Sequence, residues 1–170
     1  MTRVIRYAIA AAIALPAVLA IDQLTWRPYR CNLVARDVGL TSEQAQKSRP
    51  VVAARIARTN IARLLPCANE CPASIELAML LGANEMMAGR IGDAIRTYNR
   101  ALQYDRRPEL YFHLGVAQLA AGDRESAKRN FLLASYSGMY VDAIEDPLLR
   151  DQVIRAMNRR DAELRSRLRR

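Results

Sequence analysis

Glycine and proline are scarce in this chain, with 7 of each among 170 residues, while half of the residues are hydrophobic. Disordered proteins show the opposite balance, because they lack the apolar side chains needed to bury a core. Lysine is also nearly absent: Lys47 and Lys128 are the only two, so arginine carries almost all of the positive charge. Because codon composition alone can produce such a bias, it does not by itself indicate recognition of a partner. The composition predicts one folded domain with an end segment.

Histidine occurs once, as His113, and no Ser/His/Asp catalytic set can be built around it. It follows Phe112 in a stretch that is predicted to be helical, where a lone histidine is usually a packed or surface residue. A glycine-rich phosphate loop is missing as well, because Gly89 and Gly92 belong to a turn between helices. We therefore predict no catalytic residues, no metal and no cofactor, and a protein that is not an enzyme.

Cysteine occurs three times, and two of the cysteines lie near the ends of a short link, Pro66-Cys67-Ala68-Asn69-Glu70-Cys71-Pro72. In an exported chain, Cys67 and Cys71 would form a disulfide that clamps this link, worth about 2 kcal/mol for so small a loop. Cys31 would then be free or bonded to another chain. A metal site of Cys31, Cys67, Cys71 and His113 matches no usual zinc spacing, and redox pairs normally have two residues between their cysteines.

The longest stretch without charge near the N terminus is residues 7–21, which follows Arg3 and Arg6. Its 15 residues are fewer than the roughly 20 of a straight transmembrane helix, and they fit the apolar core of a signal peptide. Trp26 and Tyr29 come next, as interfacial aromatics do in an anchored protein. We predict that residues 1–21 are a signal peptide or a single-pass membrane anchor. The body would lie in a bacterial-type envelope, periplasmic after cleavage or anchored in the inner membrane and facing the periplasm.

Residues 22–49 are predicted to be a polar connector, and within them Trp26-Arg27-Pro28-Tyr29-Arg30 shows no hydrophobic periodicity. Within them, the capping-box spacing from Thr41 to Gln44 predicts one short helix. The next helix is predicted over residues 50–65, because Pro50 suits a first helical turn and Pro66 would end the helix.

One pattern of glycine, alanine and aromatic residues is written twice, 33 residues apart. The matched residues are Leu81-Gly82, Gly89, Ala94, Tyr98 and Ala101 in the first copy and Leu114-Gly115, Gly122, Ala127, Phe131 and Ala134 in the second. A fixed period of this length is the signature of a helical repeat array. The small residues let helices approach closely, and Tyr98 and Phe131 fill the space between them. Each copy, over residues 73–105 and 108–136, is predicted to be two helices joined by a glycine turn.

These residues, with Tyr111 in the second copy and Pro108 at the junction, resemble the tetratricopeptide repeat (TPR) family. The resemblance covers about residues 73–136. It departs from the family pattern where Glu85 and Gln118 replace an aromatic residue and where Ala78 replaces a large one, and the period is one residue shorter than usual.

The resemblance implies an all-α fold, a short solenoid of antiparallel helix pairs within a helical domain over residues 50–170. About three units are normally needed for stability. The helix at residues 50–65 is therefore expected to flank the array, and a helix over residues 146–170 is expected to cap it.

The resemblance also implies a binding groove, the concave face formed by the first helix of each repeat. The groove residues in this chain are Met79, Ala83, Met86, Met87, Phe112, Val116 and Leu119. Methionine-rich surfaces adapt to varied apolar partners, so the implied ligand is an apolar or amphipathic segment of a protein or peptide. The lysines and asparagines with which chaperone-binding members hold a C-terminal carboxylate are missing. The alternative is that these side chains are core, covered by the chain's own C-terminal helix.

The net charge of +9 is concentrated at the C terminus, where residues 150–170 hold eight arginines and three acidic residues. We define the basic tail as Arg159, Arg160, Arg165, Arg167, Arg169 and Arg170. It suits anionic lipid headgroups, an acidic partner or solvent, whereas an exported protein would not normally meet nucleic acid.

The sequence thus predicts a non-catalytic scaffold or adaptor, exported or membrane-anchored, that binds a protein or peptide partner on an apolar face. The alternative is an accessory or regulatory subunit of an envelope enzyme, such as a polysaccharide-assembly machine, and it is based on fold analogy alone.

Overall fold

The computed structural model describes residues 25–136 and 141–168, together with Pro16. Those residues form seven α-helices and no strand, so the predicted all-α class is confirmed. The helices are α1 (Arg27–Gln46), α2 (Pro50–Glu70), α3 (Ile75–Met87), α4 (Ile91–Ala101), α5 (Pro108–Ala120), α6 (Arg124–Ser135) and α7 (Pro147–Leu168). The predicted signal peptide or anchor at residues 1–21 lies outside the described residues, apart from Pro16. Among the helices just named, none combines the length and the apolar character that crossing a membrane requires.

The segment expected to be a polar connector contains the 20-residue helix α1, so that prediction is wrong over residues 27–46. One face of α1 is buried, and its residues are Cys31, Ala35, Val38, Ser42 and Ala45. They follow the helical period, but most are too small or too polar to be recognised as a hydrophobic pattern. Thr41, expected to open a helix, lies inside α1 with its hydroxyl 3.0 Å from the carbonyl oxygen of Val38.

Helix α2 continues through Pro66 and ends at Glu70, beyond the predicted end at residue 65. Proline has no N–H, so the carbonyl of Ala62 loses its usual hydrogen bond within the helix. Both residues are exposed, and water can replace the missing donor there. After Pro66 the helix is held by Cys67, which is buried in the same cluster as Leu64 and Val38. Burial of this last turn against α1 outweighs the effect of the proline.

A buried polar network joins the first three helices through Ser42 of α1, Asn60 of α2 and Asn84 of α3. Asn60 Nδ2 donates to Asn84 Oδ1 at 3.0 Å and to Ser42 Oγ at 3.2 Å. Asn84 Nδ2 donates to Ser42 Oγ at 2.9 Å and to the carbonyl oxygen of Leu80 at 2.8 Å. Within the described residues, every buried side-chain nitrogen and oxygen has a hydrogen-bond partner. A shift of one helix by one residue would break these bonds, so the network sets how α1 and α2 pack on α3.

Helices α3 and α4 form the first copy of the doubled pattern, and α5 and α6 form the second. Each pair is joined by a turn whose glycine has a positive φ, 76° at Gly89 and 84° at Gly122. Side chains other than glycine rarely adopt this left-handed backbone. The predicted arrangement of two helices joined by a glycine turn is therefore confirmed in both copies.

Equivalent hydrogen bonds also join the two helices of each copy. The Thr97 hydroxyl donates to Glu85 Oε2 at 2.8 Å, and Asn130 Nδ2 donates to Gln118 Oε1 at 2.7 Å. Both members of the second bond lie 33 residues after those of the first. Glu85 and Gln118, which depart from the pattern that the sequence resembles, thus make the same kind of polar bond between the two helices of each copy.

Candidate functional site

A cavity of about 390 Å³ lies between α5, α6 and the segment that precedes α7. We call it the α5 cavity. It is lined by Phe112, His113, Val116, Leu119, Phe131, Ala143, Ile144 and Glu145. Six of these eight residues are apolar, and only the histidine and the glutamate are polar. A mainly apolar cavity of this size with a few polar groups suits a small ligand or an apolar side chain of a partner.

One wall of the α5 cavity is a run of aromatic rings. The Phe112 ring lies 5.5 Å from the Phe131 ring and 5.6 Å from the His113 ring, which it meets nearly edge-on. His113 in turn stacks on Tyr98 of the first copy, with 5.8 Å between ring centroids. Aromatic contacts of this kind stabilise a defined arrangement. The wall is therefore anchored in the cores of both copies.

The opposite wall, formed by residues 143–145, is fastened to the helices on either side of it. Arg150 of α7 donates from Nε and Nη2 to the carbonyl oxygen of Ile144, at 2.9 and 2.6 Å. Arg124 of α6 forms an ion pair with Asp146 at 2.8 Å. Asp146 also accepts a hydrogen bond from the backbone N–H of Leu149 at 2.9 Å, and this caps α7. These contacts position Ile144 and Glu145 beside α5.

The two polar residues give the α5 cavity a neutral interior and an acidic rim. Burial lowers the pKa of His113, and the nearby Glu109 opposes this shift to a smaller extent. The imidazole is therefore uncharged at neutral pH and can donate and accept hydrogen bonds. Glu145 is exposed and supplies a carboxylate at the opening. An apolar group with a cation next to it would match both features.

The structure divides the predicted groove into two parts. Phe112, Val116 and Leu119 are half-buried and line the α5 cavity. They pack on a cluster that includes Ile144, Leu149 and Val153, so the chain's own C-terminal segment covers part of this face. The other predicted groove residues do not line the cavity and are half-buried elsewhere on α3: Met79, Ala83, Met86 and Met87. Met79 and Met86 pack on the core between the two copies.

The cysteine pairing differs from the predicted one, because the disulfide joins Cys31 to Cys67 and leaves Cys71 as a free, half-buried thiol. Cys67 and Cys71 do not form the predicted clamp, because α2 continues past Pro66 and holds Cys67 within its last turn, while Cys71 follows as the C-cap residue with its N–H bonded to the carbonyl oxygen of Cys67. Helix α1 instead brings Cys31 against α2, with 5.3 Å between the Cα atoms of the bonded pair. The bridge closes a span of 36 residues and fastens α1 to the body.

The described part of the basic tail is exposed along the second half of α7, and Arg169 and Arg170 lie outside the described residues. The guanidinium of Arg160 sits 4.0 Å above the ring of Tyr136, a cation–π contact that ties the middle of α7 to the end of α6. Arg159 lines a shallow basic depression with Lys128 and Arg155. Arg165 and Arg167 extend beyond these contacts into solvent.

Sequence reasoning identified Phe112, Val116 and Leu119 but missed the wall formed by residues 143–145. Asp146-Pro147 did indicate where a helix starts, although nothing local to that segment shows that it folds against α5. Within residues 25–136 and 141–168, no three His, Cys, Asp or Glu side chains are grouped in a way that could hold a metal ion. A comparison with protein-family models finds no match, and a search of curated proteins finds no similar sequence.

Proposed function

We propose that this chain is a non-catalytic adaptor built from two TPR-like repeats, and that it binds a protein or peptide partner through the α5 cavity. The observation that carries the proposal is the apolar lining of that cavity on the first helix of the second repeat. The equivalent hydrogen bonds and turn glycines of the two copies support the repeat architecture. The uncharged segment at residues 7–21 supports export to, or anchoring in, a bacterial-type envelope.

The partner proposed for the α5 cavity is a segment that inserts one large apolar side chain and places a lysine or arginine beside it. The apolar side chain would contact Phe112, Val116 and Ile144, and its burial would contribute about 1.5–3 kcal/mol. The cation would lie near Glu145 at the rim. The proposed ligand therefore has two features, an apolar side chain and an adjacent cation.

The test uses a variant that fills the opening without disturbing the core. Ala143 lines the cavity and is exposed, so Ala143→Trp would block entry. Ala73 is an exposed alanine in the turn before α3, and Ala73→Trp is the matched control. The full chain, extracted from membranes in mild detergent, is used to capture partners, and each captured protein is quantified for the native chain and both variants.

We expect at least one protein to be retained by the native chain and by Ala73→Trp, and to be lost with Ala143→Trp. Circular dichroism should show equal helicity for all three. If the captured proteins are the same for all three chains, or if the native chain retains none, the α5 cavity is not the partner site.

A further inference from the structure

Helix α1 has a second apolar face, which points away from the body. Its large side chains are exposed: Trp26 at 57%, Tyr29 at 54%, Leu33 at 47% and Leu40 at 60%. Single exposed apolar residues are common on protein surfaces, but an ordered row of four large ones on one helix marks an interaction surface. We call this row the outer stripe of α1.

The outer stripe follows the helical period. Leu33 lies seven residues after Trp26, and Leu40 lies seven after Leu33, so each step is close to two full turns. Trp26 has a helical backbone at the N-cap position and is in phase with the helix. Cys31, Ala35 and Val38, which face the core, lie on the other side of α1. The stripe is about 21 Å long at the usual rise per residue.

The charges around the stripe favour binding to a partner surface that is itself apolar and negatively charged. Its acidic neighbours on α1 are both neutralised, Asp37 by Arg63 at 2.5 Å and Glu43 by Lys47 at 2.6 Å. Arg36 is exposed beside the stripe. Trp26 and Tyr29 lie together with 6.0 Å between their rings, and both residue types prefer the boundary between lipid and water.

The stripe also lies close to the uncharged segment in the sequence: that segment ends at residue 21, five positions before Trp26. We infer that α1 lies flat on an anionic bilayer, with Trp26, Tyr29, Leu33 and Leu40 in the headgroup region. A peripheral helix of this kind inserts its apolar face only as far as the top of the acyl chains. The inference depends on the proposed location at an envelope membrane and is independent of the α5 cavity.

The chain has a single tryptophan, which provides the probe. Trp26 itself would be near a bilayer whether α1 lies flat or projects outward, so the tryptophan is moved to the far end of the stripe with Trp26→Phe and Leu40→Trp. The matched control is Trp26→Phe with Leu133→Trp, since Leu133 is an exposed leucine on α6. Each full-length variant is reconstituted into phosphatidylcholine and phosphatidylglycerol vesicles that contain lipids brominated near the top of the acyl chain.

An interfacial helix would hold the indole at position 40 near the brominated part of the acyl chains. We therefore expect bromolipid to quench about half or more of the tryptophan emission at position 40 and little of the emission at position 133. If the chain floats with the vesicles but position 40 is not quenched, the flat orientation is wrong while the membrane location stands. A blue-shifted but unquenched tryptophan at position 40 would instead assign the stripe to a second copy or to a protein partner. Equal quenching at both positions also overturns the inference, and failure of the chain to bind vesicles overturns the membrane location with it.

Discussion

The Tyr98 ring occupies the space into which a side chain on Gly82 would point. A Cβ built on Gly82 would lie 2.4 Å from Tyr98 Cζ, a separation that real Cβ atoms do not show. Gly115 has the same relationship to Phe131, with the nearest ring carbons at 2.9 Å. Both rings are buried, with 1% of their surface exposed. Close packing of each helix pair therefore depends on one glycine and one aromatic residue, repeated after 33 positions.

Gly82→Ala should lower the free energy of unfolding by about 1–3 kcal/mol, because the added methyl overpacks the contact with Tyr98. Gly39→Ala is the matched control, since Gly39 is also helical and a Cβ there meets nothing within 4 Å. Alanine is the better helix former, so Gly39→Ala should raise the stability by about 0.5–1 kcal/mol. Urea unfolding followed by circular dichroism measures both. An equal effect of the two substitutions would contradict the packing described for Gly82.

The pairing of Cys31 with Cys67 predicts which thiol reacts. When the full chain is unfolded without reductant and alkylated, Cys71 alone should be labelled, as peptide mass spectrometry can determine. Cys31→Ala should cost about 4 kcal/mol in the chain-entropy model for a loop of this length, whereas Cys71→Ser should cost far less. Labelling of Cys31 alone would instead support the bridge between Cys67 and Cys71 that the local spacing predicted.

Asn84→Ala should destabilise the chain by about 2–4 kcal/mol, because Asn60 and Ser42 would each lose a buried hydrogen-bond partner. Asn69→Ala is the control, since Asn69 is exposed and its side chain accepts one long hydrogen bond among the described residues, from Arg100 at 3.5 Å. Thermal unfolding of both variants against the native chain gives the comparison. A similar melting temperature for the two would show that the buried network contributes little.

Glu85 predicts a pH dependence of stability. Burial raises the pKa of Glu85 above its ordinary value of 4.5, although the hydrogen bond from Thr97 opposes the shift. A raised pKa in the folded state means that this contribution to stability is complete below pH 4.5 and is lost as the pH rises through the folded-state value.

Glu85→Gln, which copies Gln118 of the second repeat, should therefore leave stability unchanged in acid and increase it at neutral pH. Glu163→Gln removes the same charge from an exposed position of α7 and serves as the control. Urea unfolding is measured for each variant between acidic and neutral pH. A stability difference from the native chain that does not change with pH would contradict a buried carboxylate at position 85.

The sequence by itself determined the two repeated helix pairs. Gly89 and Gly122 marked the turns because only glycine readily adopts a positive φ. The spacing of Gly82 and Tyr98 indicated how the two helices of a copy pack against each other. Asp146-Pro147 marked the start of the last helix, because a carboxylate caps free N–H groups and proline suits the first turn. These signals are local, so each can be interpreted within a few turns of chain.

Only the tertiary structure determined those features that depend on contacts between segments far apart in the sequence. Helix α1 has a core face of small and polar residues, whose burial is favourable only against α2 and α3, so its sequence resembled a connector. The same contact explains why Cys67 is bonded to Cys31 and not to Cys71 as predicted, because the helical last turn of α2 holds Cys67 facing α1. The α5 cavity likewise needs Ile144 beside Phe112, and that contact depends on Arg150 and on the Arg124–Asp146 ion pair. Contacts between residues far apart in the chain leave no periodic pattern in it, and they are selected only when the whole core is packed.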